Sequence, residues 1–335
     1  MMLSPTCWTG SPFPLEAKSM KRTREQGDSE VFTSTERLLR LEAEGRLPDF
    51  HGCQRSRSLL AGHHGSRMRG RGLDFDELRR YNHGDDIRHL DWRATQRTGT
   101  PLVRSFTEER DRPTLILCDQ RMDMLFGSTL LLKATAAAEV AALLGWISFH
   151  AGDRLGGIVF NDQSIDSVTP HRSRQRVIDL LSRIARHNRA LHVDNTAART
   201  PDQLDRVLSR ALIQARHDQT LCIVSDFSGL TERTLGLLQQ LAMHNDVLAV
   251  QIYDPIALNL PRQGIVNLSE DQTRVRLDLG QTSTRETLAS FLAQRFQTVD
   301  DHLRHSHLPH LKISCGEPVL PQLRRSLGLL GAQRR

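Results

Sequence analysis

The sequence predicts an α/β fold in which a mostly parallel sheet is covered by helices on both faces. Short apolar runs such as residues 114–118 recur along the chain and are typical of strands buried on both faces. Longer segments with helical periodicity separate these runs, as expected of crossover helices. Two of the runs lead into an aspartate, Asp119 and Asp226. Ligands of parallel sheets bind beyond the carboxyl ends of the strands, so these aspartates mark the candidate functional edge.

Strands and helices are predicted to alternate from residue 113 onward. The predicted strands cover residues 114–118, 155–160, 220–224, 247–253 and 311–315. The predicted helices cover residues 130–151, 172–188, 201–216, 231–243, 283–305 and 318–330, with Thr200 as the N-cap of the third. Alternating apolar residues predict a β-hairpin within 261–280. A capping box from Thr33 to Glu36 predicts a short helix near the N-terminus.

The chain is predicted to comprise three segments. Residues 1–30 are rich in Ser, Thr, Pro and charge without a period, so we expect disorder there, with Met20 as a candidate start. Residues 31–112 form an N-terminal helical and β extension, and residues 113–330 form the α/β domain. No apolar run reaches the roughly 20 residues of a membrane span. The five cysteines include no CxxC pair, so we expect a cytoplasmic protein.

The net charge of +6 is compatible with nucleic-acid binding. Basic residues are interleaved with 39 Asp and Glu along the chain, but the loop from Arg55 to Arg71 contains arginines and no acid. This loop is either a solvated segment whose arginines pair with acids elsewhere, or a contact for phosphate or an acidic partner. The sequence leaves both alternatives open.

Oxygen ligands are predicted to gather at the carboxyl edge of the sheet, where Asp119 and the pair Ser225–Asp226 follow two strands. Mg²⁺ prefers such ligands, so Asp119 and Asp226 are candidate metal ligands. Arg121 and Asp123 follow Asp119 at alternate positions. Because a guanidinium beside the metal position repels a cation, the alternative is that Arg121 fills the site as an internal cation. Asp123 then either compensates for the arginine or pairs with it.

A dense motif of Gly, Asp and Arg lies between residues 84 and 93. Its members are Gly84, Asp85, Asp86, Arg88, Asp91, Trp92 and Arg93. The glycine suits a turn with positive φ, the carboxylates can accept charge-assisted hydrogen bonds from arginine, and the tryptophan is expected to anchor the segment on the sheet. An ion-paired structural brace is the favoured interpretation, and a ligand site is the alternative.

These residues resemble the family called domain of unknown function 58, whose core is similar to the Rossmann-like von Willebrand factor A domain. The resemblance rests on Gly70-Arg-Gly72, Glu77-Leu-Arg79-x-Tyr81, Gly84 to Trp92, Glu108-Glu-Arg110, Gly152-Asp-Arg154 and Ser225-Asp-Phe227. It implies a metal-ion-dependent adhesion site built from Asp-x-Ser-x-Ser, a loop Thr and a later Asp. Thr200 is the candidate loop Thr, and Ser225–Asp226 fits the last element. Arg121 and Asp123 replace both serines, so the adhesion site is expected to be degenerate.

The resemblance implies a non-catalytic protein-interaction module. Its implied partners are a MoxR-type AAA+ ATPase and other von Willebrand factor A proteins, with which it would assemble or mature a protein complex. The sequence contains no P-loop, HExxH or GxSxG, the motifs of common nucleotide hydrolases, metalloproteases and esterases. Two alternatives remain: a Mg²⁺-dependent hydrolase acting through Asp119 and Asp226, and a nucleic-acid binder acting through the Arg55 to Arg71 loop.

Overall fold

The computed structural model divides the chain into two compact units. It describes residues 32–45, 73–82, 87–108, 113–192, 199–215, 217–263, 265–270, 273–306 and 308–332. The smaller unit is Gly62–Asp111, and the larger unit comprises Met1–Ala61 and Arg112–Arg335. The predictions that lie outside the described residues concern the segment 1–30 with Met20, the loop from Arg55 to Arg71, and the motif residues Gly84, Asp85 and Asp86.

The described elements are numbered here in chain order. The strands are β1 (Leu73–Arg80), β2 (Leu102–Glu108), β3 (Pro113–Asp119), β4 (Arg154–Phe160), β5 (Ile165–His171), β6 (Thr220–Ser225), β7 (Asp246–Tyr253), β8 (Ile265–Glu270), β9 (Thr273–Asp278) and β10 (His310–Ser314). The helices are α1 (Thr35–Arg40), α2 (Glu42–Gly45), α3 (Trp92–Thr98), α4 (Lys133–His150), α5 (Arg174–Arg189), α6 (Gln203–Gln214), α7 (Glu232–His244), α8 (Thr282–His305) and α9 (Val319–Ala332).

The main sheet of the larger unit has six strands in the order β10-β7-β6-β3-β4-β5. Its strands pair in parallel except for β5, which runs antiparallel to β4 at one edge. The predicted α/β fold with a mostly parallel sheet is therefore confirmed, and β8 and β9 form the predicted hairpin. The sequence analysis does not find β5, because Val168 is its one buried residue and Pro170 interrupts it. Both features are typical of an edge strand.

Helices cover both faces of this sheet, and the strands contribute side chains to two cores. Along β3, Ile116 and Cys118 enter one core while Leu115 and Leu117 enter the other, as the period-two alternation of a strand requires. Helices α4, α5 and α9 pack in the first core, and α6, α7 and α8 pack in the second. Burial on both faces explains why β3 is a continuous apolar run in the sequence.

Helix α1 packs within the larger unit, although the sequence analysis places it in the extension. Leu38 is fully buried in the first core, and Nε1 of Trp146 donates to its carbonyl oxygen over 3.1 Å. The N-cap of α1 is Ser34, whose Oγ accepts from the amide of Arg37. The predicted capping role of Thr33 is therefore wrong. Its amide donates instead to Oδ1 of Asn188 on α5, 2.8 Å away.

The smaller unit is built on the antiparallel pair β1 and β2 with the short helix α3. Asp91 caps α3, since its Oδ1 accepts from the amides of Arg93 and Ala94 at 3.1 and 3.0 Å. Arg88 lies exposed in a short 3-10 turn before it. Trp92 begins the helix and is 66% exposed, so the prediction that it anchors the segment is wrong. Asp91 thus stabilises the start of α3, which is a structural role.

Candidate functional site

The carboxyl ends of β3 and β6 bring Asp119 and Ser225 into contact. The two strands are parallel neighbours, with Cys118 in register with Val224, so the residues that follow meet at the same edge. Asp119 and Ser225 are both fully buried, and Oγ of Ser225 donates to Oδ2 of Asp119 over 2.6 Å. A buried carboxylate needs further partners, because its transfer out of water is costly unless its charge is compensated.

Arg121 supplies that compensation two residues farther along the chain. Its Nη2 lies 2.7 Å from Oδ2 of Asp119, and its Nε lies 3.1 Å from each of the two carboxylate oxygens. The backbone amide of Arg121 also donates to Oδ1, at 2.9 Å. Burial alone would lower the pKa of Arg121, but the charge of Asp119 and the hydrogen bonds to it hold that pKa above its ordinary value. Arg121 is therefore a permanent internal cation.

A second internal cation, Lys133, pairs with Asp226. Nζ of Lys133 lies 2.5 Å from Oδ2 of Asp226, and the amide of Ser228 donates to Oδ1 at 2.9 Å. Nη2 of Arg121 is 4.0 Å from that same Oδ1. Burial raises the pKa of Asp226, but the charges of Lys133 and Arg121 outweigh it and hold the pKa below its ordinary value. The two carboxylates and two cations thus form one buried network, which we call the strand-end network (Asp119, Arg121, Lys133, Asp226).

The turn after β6 wraps around this network. The amide of Phe227 donates to Oγ of Ser225 at 2.9 Å, and the carbonyl of Ser228 accepts from Nη1 and Nη2 of Arg121 at 3.4 Å. Phe227 has φ of 55°, a left-handed conformation that is unusual for a bulky residue. Its ring is fully buried in the second core, and this packing holds the backbone in that conformation.

Asp123 and Thr200 lie beside the network and have other partners. Oδ1 of Asp123 is 3.3 Å from Nη1 of Arg199. The hydroxyl of Thr200 donates to the carbonyl oxygen of Asp162 at 2.7 Å, and the N-cap position of α6 is Asp202, so the predicted capping role of Thr200 is wrong. The structure therefore brings Asp119, Arg121, Ser225 and Asp226 together, while Asp123 and Thr200 serve the neighbouring loops.

Asp162 also joins these loops to the first turn after β3. Its Oδ2 accepts from the amide of Met122 over 2.7 Å. Burial raises the pKa of Asp162 above its ordinary value, although the Met122 amide and the charge of Arg121 act in the opposite direction. The loop segments around residues 122, 162 and 200 are thereby tied together beside the strand-end network.

The network as arranged does not fit Mg²⁺. A cation site of this type requires free carboxylate and hydroxyl oxygens, but both oxygens of Asp119 and Oδ2 of Asp226 already face a guanidinium or an ammonium group. Among the described residues, no group of three or more His, Cys, Asp and Glu side chains is arranged to hold a metal ion. The geometry favours the alternative in which Arg121 fills the position as an internal cation.

The sequence analysis misses Lys133 and Ser228 as members of the site. Lys133 is the first residue of α4 and is only 8% exposed, although lysine is rarely buried. Two features of the sequence point to it. Lysine is rare, with four among 45 Lys and Arg, and Lys133 interrupts a long apolar segment. The backbone contacts of Ser228 have no comparable sequence feature, because they depend on the conformation of the turn.

Comparison with known proteins matches residues 77–297 to the family described as "Protein of unknown function DUF58". Uncharacterized protein Rv1480 of Mycobacterium tuberculosis and uncharacterized protein Mb1516 of Mycobacterium bovis are each 30% identical to this chain over 226 residues. That alignment covers 66% of this chain and 68% of each relative.

Two solved structures are also similar to this chain. They are BatB from Bacteroides thetaiotaomicron, at a TM-score of 0.39 and 8% identity, and an aerotolerance-related membrane protein from Bacteroides fragilis, at 0.38 and 9%. Each match covers 66% of this chain and 99% of the other chain. Within the described part of this chain, no helix combines the length and apolar character that a membrane crossing requires.

Proposed function

This chain belongs to the DUF58 family of proteins of unknown function, and on that premise we propose that it is a non-catalytic protein-interaction module of the von Willebrand factor A type. It acts in the cytoplasm with a MoxR-type AAA+ ATPase, and with other von Willebrand factor A proteins, in assembling or maturing a protein complex. One observation carries the proposal: the two aspartates at the strand ends are neutralised by cations of the chain itself, Arg121 and Lys133. Because cations of the chain itself occupy this edge of the sheet, the edge is suited to presenting a preformed surface to a partner protein.

The state of Asp119 argues against hydrolysis at this edge. A general base or nucleophile needs a lone pair directed at substrate. Oδ1 of Asp119 accepts from the amide and Nε of Arg121, and Oδ2 accepts from Ser225 and from Nη2 of Arg121. The side chain is also fully buried, so substrate or water must displace an ion pair to reach it. The Mg²⁺-dependent hydrolase remains an untested alternative that this geometry disfavours.

The ion pair between Asp123 and Arg199 is more accessible to a partner protein than the buried ion pair at this edge. Its side chains are 20% and 29% exposed, against 0% and 5% for Asp119 and Arg121. A partly exposed pair contributes little to folding and can exchange its partners at an interface.

The cytoplasmic setting is supported by the free thiols of Cys118, Cys222 and Cys315, all of which are buried without a disulfide. Fractionation of native cells tests it, and recovery outside the cytoplasmic fraction contradicts it.

The proposal is tested by binding between the purified full chain and the MoxR-type AAA+ ATPase of the same organism, measured by biolayer interferometry with ATP and with ADP. We expect saturable binding in one nucleotide state and a loss of about tenfold in Arg199→Glu, because charge reversal at a contact slows association. The matched control is Arg210→Glu, an exposed arginine inside α6, which lies about 10 Å along the helix axis from the first residue of that helix. The proposal fails if the wild-type chain binds in neither nucleotide state, or if both variants weaken binding equally.

A further inference from the structure

A cavity of about 130 Å³ lies beside the strand-end network, within the larger unit. It is bounded by the carboxyl end of β7, by the residues just after that strand, and by one face of α8. Ile252, Leu288 and Val299 line the cavity and are almost fully buried, whereas Phe291 and Leu292 line it and are half-buried. The cavity therefore combines a buried apolar floor with a border that solvent reaches, so a ligand can enter without unfolding of the chain.

Aromatic side chains are concentrated around this cavity. Four of its lining residues are aromatic, namely Phe126, Tyr253, Phe291 and Phe296, although aromatic residues make up only 5% of the chain. The rings of Tyr253 and Phe296 already contact each other, with centroids 5.0 Å apart and planes inclined by 55°. Aromatic rings prefer offset or edge-on neighbours, and such contacts add to the free energy that is gained by burying apolar area. The lining therefore favours a further aromatic ring.

The volume of the cavity corresponds to a single ring. An engineered cavity of about 150 Å³ lined by aliphatic and aromatic side chains stays dry and binds benzene. The present cavity has nearly that volume. A ring that fills it removes apolar surface of the half-buried side chains from water and restores the dispersion contacts that an empty space forfeits. Both effects favour occupation by a ligand of this size.

The charged groups that line the cavity already have partners within the chain. Nζ of Lys133 lies 2.5 Å from Oδ2 of Asp226, Asp254 accepts from two backbone amides, and Arg295 donates to Oγ of Ser228. The lining thus holds two cations and two carboxylates, and their charges balance. A charged ligand would lose its hydration and compete with these contacts for a counter-ion, so the lining selects an uncharged ligand.

We propose that this cavity binds one uncharged aromatic ring, which packs against Phe291, Phe296 and the apolar floor. Two sources supply this chemistry: a free aromatic molecule, and the phenylalanine side chain of a bound protein. The site is independent of the proposed partner, because it rests on the volume, the aromatic lining and the balanced charges of the cavity alone.

The first test is titration of the full wild-type chain with toluene, benzylammonium and benzoate at neutral pH, followed by NMR. The three ligands share the aromatic ring and differ in the charge of its substituent. We expect saturable binding of toluene and binding of each charged ligand that is at least about tenfold weaker, because an unpaired charge is costly to bury. Absence of toluene binding, or equal binding of toluene and either charged ligand, overturns the proposal.

Contacts of the bound ring and two variants locate the site. In the wild-type chain we expect intermolecular NOEs between toluene and the methyl groups of Ile252, Leu288 and Leu292, which line the cavity. Leu292→Trp should abolish toluene binding by filling the cavity. Gln294→Trp is the control, because it adds the same side chain at an exposed position of α8 outside the lining and should leave binding unchanged.

NOEs to other methyl groups alone, or equal toluene binding in the two variants, overturn the assignment to this cavity. The NOE measurement on the wild-type chain remains decisive if Leu292→Trp fails to fold.

Competition with toluene then identifies the source of the ring. The uncharged peptide acetyl-Ala-Phe-Ala-amide and its counterpart acetyl-Ala-Ala-Ala-amide are each titrated against chain saturated with toluene. Displacement by the phenylalanine peptide alone supports a protein side chain as the occupant. Toluene binding without displacement by either peptide supports a free aromatic molecule. Displacement by both peptides to the same extent contradicts a site for an aromatic ring.

Discussion

Arg121 donates to both carboxylate oxygens of Asp119 while the two side chains are almost entirely removed from solvent. The contacts run from Nε to each oxygen at 3.1 Å and from Nη2 to Oδ2 at 2.7 Å. A guanidinium is planar and always charged, so it matches a carboxylate more firmly than an ammonium does. Because this cation is covalently part of the chain, it has no open coordination position to offer a partner's carboxylate. The geometry of this edge therefore disfavours recognition through a bound metal.

Replacing Arg121 with serine should destabilise the fold and create a response to metal. The variant leaves Asp119 buried without its cation, and breaking a buried ion pair costs about 3–5 kcal/mol. The change also restores one hydroxyl of an Asp-x-Ser pattern. We therefore expect Mg²⁺ or Mn²⁺ to raise the free energy of unfolding of Arg121→Ser and to leave the wild type unchanged, as measured by urea titration with and without excess metal.

Arg183→Ser is the matched control for this variant. Arg183 pairs with Asp179 on α5 at 3.0 Å, but its side chain is 31% exposed, so the same substitution should cost only about 0.3–0.5 kcal/mol. A comparable loss of stability in both variants would show that burial does not make the Asp119–Arg121 pair contribute more to the free energy of unfolding than a surface pair does. Stabilisation of the wild-type chain by Mg²⁺ would restore the metal-bound alternative.

The acid sensitivity of the fold should depend on Asp226. Its pKa in the folded chain lies below the ordinary value, mainly because Lys133 and Arg121 outweigh the effect of burial. The stability that this shift contributes is complete above the unfolded pKa of about 3.9 and is lost as the pH falls through the folded pKa. Asp226→Asn should therefore be less stable than the wild type at neutral pH, and the difference should shrink below about pH 4.

The measurement is the free energy of unfolding of both proteins across this pH range. Asp179→Asn serves as the control, because Asp179 is one-third exposed and lies in a surface pair. It should differ little from the wild type at any pH. A difference between Asp226→Asn and the wild type that stays constant down to the lowest pH would contradict the assigned pKa shift.

The sequence is sufficient to predict which residues lie at the strand ends, but not which charges pair there. Asp119 and Ser225 could be placed together because the carboxyl ends of adjacent parallel strands coincide. Lys133 belongs to the same site through the loop that leads into α4, and no periodicity fixes that loop. The same limit applies at helix ends, where Ser34 and Asp202 occupy the cap positions that the pattern assigns to Thr33 and Thr200. These outcomes depend on backbone angles of single residues, which sequence periodicity does not determine.

Asp300 should be essential for attaching α8 to the edge strand β10. Its Oδ1 accepts from Nζ of Lys312 at 2.7 Å and from Nε2 of His310 at 3.0 Å, and its Oδ2 lies 3.1 Å from Nε of Arg304. Its side chain is 2% exposed. Asp300→Asn should lower the free energy of unfolding by about 1.5–3 kcal/mol, the range for hydrogen bonds to charged groups. The loss should not exceed this range, because the partly exposed cations can return to water. Urea titration measures this loss.

The neighbouring Asp301 provides the control for that experiment. Its Oδ1 accepts from Nε2 of Gln297 at 2.9 Å on the solvent side of α8. Asp301→Asn keeps a hydrogen-bonding oxygen and should change stability by less than about 0.5 kcal/mol. If both substitutions have the same effect, the contact between α8 and β10 does not depend on the charge of Asp300.

The same Gly-to-Ala substitution should have opposite effects at Gly157 and Gly236. A Cβ at Gly157 on β4 would lie 2.5 Å from Cδ1 of Leu180 and 2.8 Å from the carbonyl oxygen of Ile116, so α5 or the sheet must shift. Such overpacking costs about 1–3 kcal/mol. At Gly236, in the interior of α7, no described atom lies within 4 Å of the added Cβ. Alanine there should stabilise the helix by about 0.5–1 kcal/mol. The test compares the urea unfolding midpoints of the two variants with that of the wild type. If Gly157→Ala is as stable as the wild type, α5 is not held as close to β4 as the contact between Gly157 and Leu180 implies.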